Sequence, residues 1–326
     1  MKVMLISKRT LIIFAILMIT GCSQRNPLFN LLDEQSDPSG NDLPQARILL
    51  AYAPEEYWIK EVIEYNPAPG QHVNNVQYND PNNLLGPPRP GEDDVISLGS
   101  GGGYVVVRFD PPILDHPDNK GGFDFIIFGN AFYVAGPGNM RWQEPATVEV
   151  MKDENGNSIP DPGETWYLLK GSDTATGNTL SVTYDRTNMN FKPITKSHYP
   201  DTLYFPGYPD QVTFNLFFFP PSKTGQSAEN IIGYADVTPT MENPGADDLE
   251  FYTVPDTPGD YPVDTGSGGG DAFKLEWAVD KTTGASVSLD SIDFIRIVNT
   301  ATNSSGVLNE ISAEIDAVSR VRRNNP

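Results

Sequence analysis

The stretch from Ala146 to Leu169, ATVEVMKDENGNSIPDPGETWYLL, joins an alternating apolar and polar run to a second β-prone run through a polar segment. Strict alternation is typical of a strand with one buried face. The segment between the two runs is rich in Asp, Asn, Gly and Pro, which favour turns. The stretch therefore predicts two strands joined by a long loop, with no helix on either side of that loop.

Strand signals recur along the rest of the chain. Phe123–Phe128 (FDFIIF) is apolar enough for a buried strand, and two more predicted strands, 95–98 and 103–109, form a glycine-rich hairpin with its turn at Gly99–Gly102. Residues 55–65 are predicted as one short helix. Within the stretch quoted above, the two predicted strands are 146–151 and 165–169. The remaining predicted strands are 47–52, 180–184, 211–219, 274–279, 292–298 and 311–318. This series predicts an all-β fold, a jelly-roll-type β-sandwich with long loops.

The N-terminal segment resembles the signal peptide of a bacterial lipoprotein. Lys2, Lys8 and Arg9 precede a short apolar run, and residues 19–22 (ITGC) resemble a lipobox. In such signals the chain is cut before the cysteine, and the cysteine carries diacylglycerol and a fatty acid such as palmitate. Cys22 is the one cysteine of the chain, so it has no disulfide partner within it. The alternative is an ordinary cleaved signal followed by a chance cysteine.

These signals predict three parts: a lipoprotein signal peptide over 1–21, a flexible tether over 22–45, and a single β-sandwich domain over 46–326 with an irregular insertion around 186–270. Removing residues 1–21 removes three basic residues and no acidic one, so 19 basic and 43 acidic residues remain and the formal charge is −24. Such a charge disfavours nucleic acid as a partner. We expect attachment to a lipid bilayer in the bacterial cell envelope, at the outer membrane or cell surface.

The polar segment has the spacing of a twelve-residue calcium loop. Oxygen-bearing side chains fall at positions 1, 3, 5, 9 and 12, and position 7 offers a backbone carbonyl. The predicted Ca²⁺ ligands are Asp153, Asn155, Asn157, Ile159, Asp161 and Glu164. Position 6, usually glycine, is Ser158. The alternative is a turn that binds no ion, and Mg²⁺ is a poorer candidate because it demands octahedral geometry.

The joint order of these motifs resembles a family of bacterial lipid-anchored cell-surface proteins. Its members share a strand–FENAF–strand core, an Asp/Asn/Gly calcium loop before Trp-Tyr and a late Trp-Ala-Val-Asp segment. Here the corresponding segments are FDFIIFGNAFY, DENGNSIPDPGETWY and WAVD, with Gly129 where the family often has Glu. The resemblance implies a jelly-roll domain like carbohydrate-binding or discoidin-type modules, and it implies no particular activity.

Two weaker candidate sites remain. Asn130 and Glu144 could join the Gly101–Gly103 turn in a second cation or ligand site, or they could be ordinary turn and surface residues. Loop aromatics could stack on sugar rings or bury a partner's surface, or they could cover the ends of the sandwich as small satellite cores. The aromatic candidates are Tyr133, Trp142, Tyr204 and Tyr208.

The sequence favours a non-catalytic role. The histidines are scattered without metal-ligand spacing, and there is no G-x-S-x-G motif. We therefore predict a cell-surface lipoprotein with a calcium-stabilised module that binds glycan or protein. The alternatives are a glycoside-active enzyme with a carboxylate pair and an accessory subunit of a surface nutrient-capture complex.

Overall fold

The computed structural model describes residues 57–70, 72–86, 95–119, 122–129, 132–133, 141–142, 146–170, 178–187, 205–218, 234–235, 270–299 and 312–321. All of these residues belong to one unit, Gln45–Pro326. The predicted signal peptide and tether lie outside the described residues, as does the predicted strand 47–52.

Within these ranges the chain forms fifteen strands and only short 3-10 helices. The strands are β1 (Glu61–Asn66), β2 (Ile96–Ser97), β3 (Tyr104–Leu114), β4 (Phe125–Gly129), β5 (Phe132–Tyr133), β6 (Arg141–Trp142), β7 (Ala146–Met151), β8 (Tyr167–Leu169), β9 (Asn178–Asp185), β10 (Gln211–Phe218), β11 (Tyr234–Ala235), β12 (Gly270–Phe273), β13 (Ala278–Val279), β14 (Ser291–Asn299) and β15 (Glu314–Arg320). Their pairings are antiparallel, which confirms the prediction of an all-β fold.

Most of the strands belong to two larger sheets. The first has the order β1-β3-β14-β7-β8-β13, with β11 also paired to β7, and the second has the order β12-β4-β15-β2. Buried side chains of both sheets form one hydrophobic cluster, the shared core, which includes Val107 and Ile295 from the first sheet and Phe125 and Val318 from the second. Removing this apolar surface from water stabilises a sandwich-like arrangement.

Strand β4 is buried on both of its faces. Phe125 and Ile127 belong to the shared core, and Ile126 and Phe128 belong to a second hydrophobic cluster with Trp58. The ring of Phe125 stacks on that of Phe273 in the neighbouring strand β12, with 5.1 Å between ring centroids. Burial on both faces explains why this segment reads as a continuous apolar run rather than as an alternating one.

The helix predicted over residues 55–65 is wrong, because the chain from Glu61 onward forms strand β1 and pairs with β3. The register shift after Val62 makes Ile63 an extra residue in a β-bulge. This bulge allows Val62 and Tyr65, which are three residues apart, both to pack against the shared core. An amphipathic helix shows the same three-residue spacing, so the sequence pattern does not separate the two structures.

The glycine-rich turn at Gly99–Gly102 connects the two sheets. Strand β2 pairs with β15 in the second sheet, and β3 pairs with β1 and β14 in the first, so the predicted glycine-rich hairpin is wrong. A Cβ added at Gly99 would lie 1.8 Å from the carbonyl oxygen of Ala68, and one at Gly103 would lie 1.8 Å from that of Leu98. The glycines permit a backbone crossing that a side chain would block.

The strand predicted over residues 274–279 is also wrong in its first half. Leu275–Trp277 forms a 3-10 helix, and only Ala278–Val279 is a strand. The Leu275 N–H donates to Oδ2 of Asp124 at 2.6 Å, so a side chain takes the place of a strand partner.

The carboxyl group of Asp124 is buried at this junction. The residue is 3% exposed, and its Oδ1 accepts a hydrogen bond from Nδ2 of Asn119 at 2.7 Å. Burial raises the pKa of Asp124 to about 6, against the opposing effect of the hydrogen bonds from Leu275 and Asn119. The folded chain therefore holds a proton on this group more tightly than the unfolded chain does.

Because the folded-state pKa of Asp124 is raised, we expect the free energy of unfolding to fall as the pH rises from about 4 to above 6. The loss from this one group is up to about 3 kcal/mol. The stabilisation is fully present below the unfolded pKa and is lost as the pH passes through the folded pKa. Urea denaturation at a series of pH values measures the slope. Asp124→Asn should lack the part of the pH dependence that comes from this carboxyl group. Identical slopes of the free energy of unfolding against pH in the two proteins would contradict the raised pKa.

Candidate metal site

The predicted calcium loop leaves the first sheet and returns to it. Strands β7 and β8 pair with each other, with Glu149 opposite Leu168 and Val150 opposite Tyr167. The loop is therefore a long hairpin connection between two paired strands. The sheet fixes both ends of the loop, and contacts within the loop decide where its oxygen atoms point.

The carboxylate of Asp153 organises the first half of the loop. Its Oδ1 accepts hydrogen bonds from the N–H groups of Gly156 at 2.7 Å and Asn157 at 3.2 Å, and its Oδ2 accepts one from the N–H of Ser158 at 2.7 Å. Ser158 has φ of 64°, in the left-handed region that favours glycine. Ser158 thus adopts the kind of backbone conformation for which glycine is usual at position 6 of a calcium loop.

The other predicted side-chain ligands are joined by a second set of hydrogen bonds. Oδ2 of Asp161 accepts hydrogen bonds from Nδ2 of Asn155 and Nδ2 of Asn157, each at 2.7 Å. Glu164 folds back over the loop, because its Oε1 accepts from the N–H of Glu154 at 2.8 Å and its Oε2 from the N–H of Asp161 at 3.1 Å. All five side chains are therefore bonded to one another or to the loop backbone.

The carboxylates of the loop are linked through amides and do not form one acidic cluster. Within the part of the chain that the structure describes, no three His, Cys, Asp or Glu residues are grouped so as to hold a metal ion. A cation here would need the amide oxygens of Asn155 and Asn157 and the carbonyl of Ile159 beside the carboxylates. These are hard oxygen donors, the ligand type that Ca²⁺ takes in sets of six to eight.

Side chains from two distant strands hold the loop against the sheet. Oδ2 of Asp293, in β14, accepts the N–H of Asp153 at 2.8 Å. Nη1 of Arg108, in β3, lies 3.4 Å from Oγ of Ser158, to which it donates a hydrogen bond. Burial raises the pKa of Asp293 against the lowering effect of this hydrogen bond from the Asp153 N–H, and the Asp153 carboxylate adds to the rise. No local sequence signal connects these residues to the loop, because 140 positions separate Asp293 from Asp153 and 50 separate Arg108 from Ser158.

The C-terminal end of the loop rests on a charged cluster. The guanidinium of Arg296 lies 4.3 Å from the ring centroid of Trp166, which is two residues beyond the end of the loop. Arg296 stands opposite Glu149 in the β14–β7 pairing and donates to Oε2 of Glu149 through both Nε and Nη2. Lys281 donates to Oε1 of the same carboxylate at 2.8 Å. The Glu149 side chain is only 8% exposed, so both of its oxygens depend on these partners.

Removing the Glu149 carboxylate should strongly destabilise the chain. Glu149→Ala leaves Arg296 and Lys281 partly buried without their shared anion, and breaking such a pair costs about 3–5 kcal/mol. The measurement is the free energy of unfolding in urea. Asp290→Ala is the matched control, because the ion pair of Asp290 with Lys152 is exposed and should contribute much less. Equal losses in the two variants would contradict this interpretation of the Glu149 cluster.

The remaining predicted site residues are only partly covered by the structure. Cys22, Asn130, Glu144 and Tyr204 lie outside the described residues. The backbones of β5 and β6 pair Tyr133 with Arg141, and Phe132 with Trp142. The Gly101–Gly103 turn is described, and the carbonyl oxygen of Gly101 accepts a hydrogen bond from the hydroxyl of Tyr184 at 2.8 Å. The second site and the roles of Tyr133, Trp142 and Tyr204 therefore stay predictions.

Tyr208 is held by contacts within the protein. Its side chain is half-buried, and its hydroxyl donates hydrogen bonds toward Oδ1 of Asn66 and toward the carbonyl oxygen of Pro67, the latter at 2.7 Å. Its ring meets that of Phe205 edge-on, with 5.6 Å between centroids. Burial is the main cause that raises the pKa of Tyr208 above its ordinary value. These contacts favour the satellite-core alternative for Tyr208, and ligand stacking by this residue stays a prediction.

In the described ranges, no helix has the length and apolar character needed to cross a membrane. No protein-family model and no curated protein matches this chain. The resemblance to lipid-anchored cell-surface proteins therefore stays a prediction.

Proposed function

We propose that this chain is a calcium-stabilised, non-catalytic binding module of jelly-roll type, held at a bacterial cell surface by lipid on Cys22. One observation carries the proposal. In the loop 153–164, every side chain with the spacing of a calcium ligand is already bonded into one compact network. The same five positions carry the oxygen-bearing side chains that a twelve-residue calcium loop requires.

Six residues of the loop would hold the ion. Asp153, Asp161 and Glu164 would supply negative charge, Asn155 and Asn157 would supply amide oxygens, and Ile159 would supply its carbonyl. Both Asn amides now direct Nδ2 at Asp161, so they would have to turn an oxygen inward instead. A bound cation would neutralise the Asp161 carboxylate that both amides now satisfy.

Support for a structural role comes from the contacts between the loop and the sheet. Asp293 and Arg108 bind the loop to strands β14 and β3, and Trp166 packs on Arg296 in β14. A rigid loop would therefore steady one end of the first sheet and the loops near it. Surface loops on a rigid sandwich are a common place for binding residues.

The partner proposed is a glycan or a protein of the cell surface. The formal charge of the chain is −21, which disfavours nucleic acid and anionic membrane surfaces. The described residues offer no specific support for the glycoside-active enzyme or for the accessory subunit. The Glu149 carboxylate is hydrogen-bonded to Lys281 and Arg296. The buried carboxyl group of Asp124 accepts hydrogen bonds from Asn119 and Leu275.

Lipid attachment is tested separately from binding. In a bacterial host fed with an alkyne-bearing palmitate, the full chain should become labelled and should partition into detergent. Cys22→Ser should remain unlabelled and keep the signal peptide, because lipidation precedes cleavage in this type of signal. Equal labelling of the two chains would overturn the assignment of Cys22.

Binding is tested with the purified full chain on a glycan array and in pull-down from bacterial surface proteins. We expect a ligand whose binding weakens with a chelator and returns with Ca²⁺. Asp161→Ala should lose this dependence, and Asp280→Ala, which caps an unrelated turn, should retain it. Cleavage of an arrayed glycan would favour the enzyme alternative, and a failure to bind in both assays would overturn the binding module.

A further inference from the structure

The loop contains a pair of residues with its own chemistry. Asn155 is followed by Gly156, which has no Cβ to obstruct ring closure on the preceding side chain. In the reaction of such a pair, the main-chain nitrogen of the glycine loses its proton and attacks Cγ of the asparagine. The side-chain nitrogen leaves as ammonia and a five-membered succinimide forms. Water then opens the ring at one of its two carbonyls, giving aspartate or isoaspartate.

The structure opposes the first step at the attacking nitrogen. The N–H of Gly156 donates to Oδ1 of Asp153 at 2.7 Å. A hydrogen bond to a carboxylate is charge-assisted, so it favours the protonated nitrogen. The proton that has to leave is therefore held by a neighbouring anion.

The structure also opposes the reaction at the carbon that is attacked. Oδ1 of Asn155 accepts the N–H of Asn157 at 3.0 Å, and Nδ2 of Asn155 donates to Asp161 at 2.7 Å. Turning Cγ of Asn155 toward the nitrogen of Gly156 would break both hydrogen bonds. The amide is thus held at both of its ends.

Burial does not protect Asn155 and Gly156 from this reaction. Asn155 and Gly156 are both exposed, and no atom lies within 4 Å of the position of a Cβ on Gly156. Water for the second step has free access. The protection therefore comes from hydrogen bonds that are lost together when the loop opens.

We propose that Asn155 is a deamidation site whose reaction is suppressed by the hydrogen bonds of the closed loop and released when the loop opens. The product places a carboxylate where an amide donated to Asp161. That change removes one hydrogen bond and sets two like charges side by side. The proposal goes beyond the proposed function, because it does not require that an ion occupy the loop.

The test follows the conversion of Asn155 with time in mildly alkaline buffer. The folded full chain and the same chain in urea are digested, and peptide mass spectrometry with isoaspartate detection reports the modified fraction. We expect the folded chain to react at about one tenth of the rate in urea or more slowly still, because only the open fraction of the loop can react. Equal rates in the two conditions would overturn the proposal, and this comparison needs no variant.

Two variants identify the protecting contacts. Asp153→Ala frees the N–H of Gly156, and Asp161→Ala frees the Asn155 amide, so each should speed deamidation in buffer. Asp280→Ala, outside the loop, should leave the rate unchanged. Circular dichroism identifies the variants that remain folded. A folded Asp153→Ala protein that deamidates at the rate of the unaltered chain would overturn the role given to this carboxylate.

Discussion

Calcium is expected to raise the melting temperature of the full chain by about 5–10 °C, and Asp153→Ala is expected to abolish that rise. A ligand at a hundred times its dissociation constant stabilises by about 2.7 kcal/mol, and each kcal/mol shifts the melting temperature of a domain of this size by about 2–4 °C. Asp153 is the residue to change because its carboxylate accepts three backbone N–H groups of the loop.

The measurement is a thermal melt in Ca²⁺, in Mg²⁺ and in EDTA. Asp153→Ala should also melt earlier in EDTA, since those hydrogen bonds are lost with or without an ion. Asp280→Ala is the matched control, because Asp280 caps a turn between β13 and β14 and should keep the full calcium response. An unaltered chain that melts at one temperature in all three solutions would show that the loop is a turn that binds no ion.

Gly103→Ala is expected to lower the free energy of unfolding by about 3 kcal/mol or more, at the upper end of the range for overpacked sites. The added Cβ would lie 1.8 Å from the carbonyl oxygen of Leu98 and 2.3 Å from the backbone nitrogen of Ala68. Both are backbone atoms, so no side chain can move aside. The backbone crossing between the two sheets would have to shift as a whole.

The matched control is Gly163→Ala, in the predicted calcium loop. Neither glycine has a positive φ, and no atom lies within 4 Å of a Cβ at Gly163. We expect this variant to stay within about 0.5 kcal/mol of the unaltered chain. Urea denaturation compares the two, and similar stabilities would show that the crossing at Gly103 is looser than its distances indicate.

The strands were predictable where composition and periodicity agree. Ala146–Met151 alternates and forms β7 with the predicted bounds, and the apolar run Phe123–Phe128 contains most of β4. The helix predicted over residues 55–65 was wrong because the bulge at Ile63 gives this strand the apolar spacing of an amphipathic helix. The sheet to which each strand belongs was not predictable, since β2 and β3 are close in sequence but pair in different sheets.

The candidate metal site was also predictable only in part. The loop spacing identified the five side chains between Asp153 and Glu164 that form the network within the loop, because those contacts are local in sequence. Asp293, Arg108 and the cluster around Glu149 were missed, because they reach the loop only through the pairing of distant strands. The direction of the two Asn amides was also not predictable, since it depends on the position of Asp161.

Strands β7 and β8 pair with each other beside the loop, so the sheet holds the two ends of the loop close together. The twelve-residue loop 153–164 between them is therefore anchored at both of its ends. A lanthanide-binding peptide transplanted in place of this loop would inherit its two anchored ends, which would make this chain a scaffold for a luminescent reporter.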